Sequence, residues 1–241
     1  MSGDRFDALM NYPLAEAIIG FVGGPSLNEP LLRSHSEYSR VTRLDGPTFA
    51  SLLGRLLTDY EPSTTAVQLN LLGSHDTPRV LSLLGGDIDA MELAVLVQGT
   101  LPGAPCVYYG DEVGLTGGKD PENRKAFPWD PSRWESDLLD ATRATFRLRR
   151  AEAGLRADGV TFLASAGDAV AFERRAGERR LGVALNAGVA AASLALGPAA
   201  GDAEVLLATG RGRISPPRLG VADGGVTIDL PPRSGAVVRL S

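Results

Sequence analysis

The hydrophobic periodicity of the chain changes once, near Gly154, so the two sides of that point call for different architectures. Upstream, Phe49, Leu52, Leu53, Leu56, Leu57 and Tyr60 recur at three- and four-residue steps after Gly46-Pro47, which marks one face of an amphipathic helix. Downstream, short alternating runs fall at 161–164, 169–173, 181–185, 205–208, 226–230 and 236–240. Gly, Pro, Asp and Asn punctuate them at intervals of about ten residues, the pattern of a small antiparallel β-sandwich. The expected division is an α/β part at 1–155 and an all-β part at 156–241. The Ala- and Gly-rich stretch at 187–203 reads as a compositional bias of the coding sequence.

The first part reads as three strand–helix units. Strands are expected at 6–12, closed by Pro13, at 66–72, and at 106–109, closed by Gly110. Helices are expected at 13–21, 49–60 and 89–100, the last ended by Gly99 and Pro102-Gly103. Asp130-Pro131 caps a further helix running to about Ala153, with Arg147, Arg149 and Arg150 on a solvated face where they complement the helix dipole. The polar connection between Gly23 and Asp45 carries His35, which reads as a solvated loop histidine because no second His or Cys stands at metal-ligand spacing.

Within this frame the stretch 69–79, LNLLGSHDTPR, stands out. Apolar residues flanking Asn70 suit a strand buried on both faces, and Gly73-Ser74 turns the chain at its carboxyl end, where α/β sheets and barrels place reactive groups. Thr77-Pro78 then reads as a helix N-cap with proline at the first helical position. By residue type alone, an adjacent His-Asp pair is as readily a turn followed by a cap.

The full string closely resembles the segment after the seventh strand in the alpha-amylase family of glycoside hydrolases. Three further segments resemble that family in order: FDALMNYP at 6–13 is similar to the sixth-strand FDSVMNYP of the neopullulanase and cyclomaltodextrinase branch, PGAPCVYYGDE at 102–112 to the eighth-strand G-x-P-x-I-Y-Y-G-x-E, and DPENRKAFPWD at 120–130 to DPDNRRPFPWD beside the substrate cleft. The resemblance implies the last three βα units of a (β/α)8 TIM barrel followed by a C-terminal antiparallel β-sandwich. It implies Asp76 as the transition-state-stabilising catalytic residue, and His75, Arg79, Asn123, Arg124 and Trp129 as substrate-binding residues. An aromatic face stacks on the apolar face of a pyranose, although Trp129 serves equally as a buried loop anchor.

Retaining glycoside hydrolysis needs a carboxylate nucleophile and a protonated carboxylic acid roughly 5 Å apart. In the family these lie on the fourth and fifth strands, and neither a G-F-R-x-D nor an E-V/I-W segment occurs in the 241 residues. Asp111 and Glu112 are adjacent, and on an extended backbone their side chains point to opposite sides, so they are expected to act as braces under the eighth strand. The expectation is the C-terminal part of an enzyme acting on α-1,4-glucans such as maltooligosaccharides, cyclodextrins, pullulan or starch. Such a chain is inactive alone, is complemented by the N-terminal barrel half, and is prone to self-association through an open barrel edge. The alternative is a non-enzymatic carbohydrate-binding or interaction module, against which the second part offers only Phe162 and Phe172 as aromatics.

A formal net charge of −5 and a pI near 5.1 argue against nucleic acid or an anionic membrane as partner. No window approaches 18 uninterrupted apolar residues, and no basic-then-apolar leader opens the chain. Cys106 is the single cysteine, expected to be a buried inert thiol. No cofactor and no metal are expected, and a cytoplasmic location fits.

Overall fold

The computed structural model describes residues 6–34, 38–198, 202–210, 215–222 and 224–240; His35 lies outside the described residues. The order begins with helices α1 (Tyr12–Gly23), α2 (Glu29–Arg33), α3 (Gly46–Leu56) and α4 (Pro62–Thr65), then strand β1 (Leu69–Leu71). Helices α5 (Val80–Leu83) and α6 (Ile88–Thr100), strand β2 (Ala104–Cys106) and helix α7 (Ser136–Ala151) follow. The remainder is β3 (Thr161–Ala166), β4 (Ala169–Ala176), β5 (Arg179–Asn186), β6 (Ala192–Pro198), β7 (Ala203–Ala208), β8 (Arg218–Ala222), β9 (Gly225–Leu230) and β10 (Ser234–Leu240).

Strands β1 and β2 pair in parallel, Asn70 opposite Pro105, and Met10 adds a single parallel bridge to Leu69. The strand expected at 6–12 is therefore reduced to that bridge. Its hydrogen bonds are those between Leu69 N and Leu9 O and between Asn11 N and Leu69 O, and Tyr12 already begins α1. The strand expected at 106–109 lies earlier, at β2, because Tyr108 turns toward the 3₁₀ turn Asp111–Val113. That turn also replaces the extended backbone on which Asp111 and Glu112 were expected to diverge.

Helix α6 is buried on every face from Ala90 to Thr100, which explains its unpatterned apolar sequence. Gln98 within it is 1% exposed, and its Nε2 donates to Asn70 O at 2.8 Å and to Cys106 O at 2.9 Å, tying β1 to β2 from below. Cys106 itself is half-buried, not enclosed.

The second part is two antiparallel sheets, in order β3-β4-β5-β10-β7 and β6-β9-β8. Alternation in the central strands decides both interfaces of the larger sheet. Ala169, Ala171, Ala184, Ala236 and Val238 face Leu194, Leu196, Val226 and Ile228 of the smaller sheet. Val170, Phe172, Val183, Leu185 and Val237 face the helical layer, sharing one core with Leu93, Leu96 and Phe49. Strand β6 falls within the stretch read as compositional bias, and β8 also escaped the pattern because its exposed face carries Arg218, Gly220 and Ala222.

The arginines of α7 divide. Arg149 is buried, not solvated: its Nη1 donates to Gly99 O, Leu101 O and Leu155 O, and its Nη2 to Gly103 O. Asp130 caps only the 3₁₀ turn Pro131–Arg133, through Ser132 N at 3.0 Å, and α7 begins separately at Ser136. No helix of the described residues is long and apolar enough to cross a membrane.

Candidate active site

The segment 73–79 leaves the carboxyl end of β1 as a tight turn rather than as a capped helix. Thr77 Oγ1 accepts from Ser74 N at 2.9 Å, Thr77 N donates to Ser74 O at 3.3 Å, and Asp76 N donates to Ser74 Oγ at 3.1 Å. Thr77 is thus committed to closing the turn, and α5 starts after Arg79 with no side-chain cap. The turn presents His75 and Asp76 outward, with Nε2 3.3 Å from Oδ1 and both side chains more than half exposed.

Two tyrosines fix the near end of this turn. Tyr38 OH donates to Leu72 O at 2.8 Å, and Tyr12 shares a 3.0 Å hydrogen bond with Ser74 Oγ. Burial pushes the Tyr38 phenol well above the usual tyrosine range, so it remains a proton donor. Neither tyrosine was singled out by sequence: Tyr38 stands alone in a polar connection, and its role depends on a contact 34 residues away.

Arg79 fixes the far end and does not meet solvent. It is 1% exposed, its guanidinium carbon lies 4.1 Å from the Tyr108 ring centre and 4.6 Å from that of Tyr109, and its Nη1 is 3.0 Å from Asp111 Oδ1. The same nitrogen donates to Tyr109 O. A group so enclosed cannot also touch a sugar, so the substrate contact expected of Arg79 gives way to bracing. Asp111 is fully buried; burial pushes its carboxyl up to about 7 against the lowering pull of Arg79, with Glu112 adding to the rise.

Asn123, also expected to contact substrate, is 1% exposed and donates from Nδ2 to His75 O at 2.8 Å and Thr77 O at 3.0 Å. Arg124 is partly exposed: Nε donates to His75 O at 3.0 Å and lies 3.3 Å from Asp120 Oδ1, while Nη2 stands 4.0 Å from Asp76 Oδ1. Trp129 is 82% exposed, its ring edge-to-face with Phe127 at 4.8 Å, and Phe127 in turn meets Trp134 at 5.9 Å. The anchor of this loop is the half-buried Trp134, whose Nε1 donates to Pro128 O at 2.6 Å.

The structure therefore gathers His75, Asp76 and Arg124 on one open surface and withdraws Arg79 and Asn123 beneath it. A cavity of about 710 Å³ lies between α7 and β7, and neither His75 nor Asp76 lines it. The arrangement around Asp76 sets a carboxylate, an imidazole and a guanidinium side by side in solvent. No group of three or more His, Cys, Asp or Glu among the described residues is placed to hold a metal ion.

Residues 1–162 match the model of the alpha amylase catalytic domain. A cyclomaltodextrinase of Geobacillus thermopakistaniensis (strain MAS1) is 41% identical over 165 residues, 68% of this chain and 25% of that protein. Among solved structures, Ttha1563 from Thermus thermophilus superposes with a TM-score of 0.86 at 35% identity, covering all of this chain and 50% of its own. A debranching enzyme of Nostoc punctiforme superposes with a TM-score of 0.88 at 32% identity, covering 99% of this chain and 49% of its own. The chain thus spans a quarter of that curated relative and half of those solved chains.

Proposed function

The chain belongs to the alpha-amylase family, and from that premise we propose that it supplies part of a site that cleaves or transfers α-1,4-linked glucans. Asp76 is the catalytic residue it contributes. Its carboxylate grips hydroxyls of the sugar ring at the scissile bond and strengthens those hydrogen bonds as oxocarbenium character develops. His75 binds the same ring, Arg124 holds Asp76 and the glucan from the side, and Trp129 offers a stacking face. The single observation that carries this reading is the open placement of Asp76 at the end of β1, 3.3 Å from His75 Nε2 on a turn whose backbone is held from below.

Met10, β1 and β2 stand as three successive parallel members, which supports reading 1–155 as the sixth to eighth βα units of a barrel. Leu9 and Met10 on one side and Val107 and Tyr109 on the other remain substantially exposed, as expected of surfaces that further barrel strands cover. The nucleophile and the general acid come from such strands, since no counterpart of either segment occurs in the 241 residues. Co-expression with the first half of a family barrel, followed by an assay of maltooligosaccharide hydrolysis, tests the proposal. Turnover is expected only in the completed assembly; hydrolysis by the 241-residue chain alone, unaffected by Asp76→Asn, would refute it.

A further inference from the structure

We propose that Asn123 is a positioning residue for Asp76, acting by straddling it on the backbone. The proposal rests on the assignment of the Asp76 turn as a glycan site and names what holds that turn in shape. The two hydrogens of one amide nitrogen reach the carbonyls immediately before and after Asp76, on His75 and Thr77. Carbonyl oxygens only accept, so the amide must point its nitrogen at them, and the orientation of Asn123 follows from its partners.

Three backbone amides of the turn are matched within it: Ser74 N by Thr77 Oγ1, Asp76 N by Ser74 Oγ, and Thr77 N by Ser74 O. His75 O also accepts from Arg124 Nε, whereas Thr77 O depends on Asn123. Loss of the amide therefore frees the Thr77–Pro78 peptide, one residue beyond Asp76, and leaves the Ser74–Thr77 bonds and the Arg124 contact at His75 O to hold the turn. The 3₁₀ turn Glu122–Arg124 is itself set against the Arg79 segment at Gly117. Gly117 O accepts from Arg79 N at 3.0 Å, and a Cβ on Gly117 would lie 2.3 Å from Glu122 O and 3.1 Å from Asn123 Cα. Asn123 is thereby placed by close backbone approach, with almost none of its surface left to a ligand.

Backbone hydrogen exchange in the full chain tests this without requiring turnover. Asn123→Ala is expected to raise exchange at the Ser74, Asp76 and Thr77 amides by roughly tenfold, the worth of one buried hydrogen bond, with β4, β5 and β10 unchanged. Asn123→Asp keeps the shape but sets a carboxylate against two carbonyls. Its loss of protection should be largest at neutral pH and should shrink at acidic pH, where the protonated acid regains one donor. That recovery is a readout a merely space-filling residue would not give. Unchanged protection of the turn in both variants, or equal loss across β4, β5 and β10, overturns the proposal. Maltotriose titration of the wild-type chain is the separate arm: absence of binding there counts against the glycan reading, while the exchange result still decides the role of Asn123.

Discussion

Arg149 of α7 and Arg174 of β4 both donate to the carbonyl oxygen of Leu155, at 2.6 and 3.3 Å. Arg174 also donates to Gly154 O and Ala157 O, so the turn between the helical layer and the larger sheet is held by two buried cations on main-chain acceptors. Burial and the nearby Arg149 bring the Arg174 guanidinium down to about 9, and burial likewise lowers Arg149. Arg149 serves four carbonyls from two segments, 99–103 and Leu155, and its removal would leave those acceptors enclosed.

Arg149→Met should therefore lower stability by about 3 kcal/mol in chemical denaturation, more than Arg174→Met, because methionine keeps the stem but supplies no donor. A loss under about 1 kcal/mol at Arg149 would mean that the freed carbonyls find water.

The Arg79–Asp111 pair predicts a pH dependence. Between the ordinary aspartate value and about 7, folded Asp111 retains a proton that the unfolded chain has released. Stability contributed by this group is thus greatest at acidic pH, falls as pH rises through that window, and is flat above it, with a slope of at most about 1.4 kcal/mol per pH unit. Denaturation midpoints of wild type and Asp111→Asn, measured from about pH 5 to about pH 8, should diverge in that sense. Parallel curves would show that Asp111 stays ionised beside Arg79.

In a completed barrel, Asp76→Asn should reduce kcat/KM by roughly 10²-fold or more, the scale of one preorganised transition-state contact. His75→Ala should cost less, since a neutral ring hydrogen bond is weaker than a charge-assisted one. Steady-state kinetics on a maltooligosaccharide separates the two, and equal losses would contradict the distinct roles.

Trp129→Ala should leave stability within about 0.5 kcal/mol, because the ring is largely in solvent. It should instead raise KM in the completed enzyme if the exposed face stacks on sugar. A fall in the denaturation midpoint with KM unchanged would return Trp129 to a structural role.

Sequence alone determined helices α1, α3 and α6, most of the antiparallel strands that follow them, and the family, because each is written in local periodicity or in an unbroken string such as 69–79. It also brought His75, Asp76 and Arg124 forward as candidate site residues, while their meeting on one surface came from the fold. What it could not carry is burial. Arg79 and Asn123 read as substrate contacts and Arg149 as part of a solvated face, yet each lies inside, because carbonyls and rings distant in sequence converge on it. Likewise, whether Thr77 caps a helix or closes a turn depended on Ser74 and on the segment at Gly117, and whether Trp129 or Trp134 is the anchor depended on Pro128 O. A side chain's partners at long range are set by tertiary packing, and a buried donor is free to choose only among the acceptors that packing brings to it.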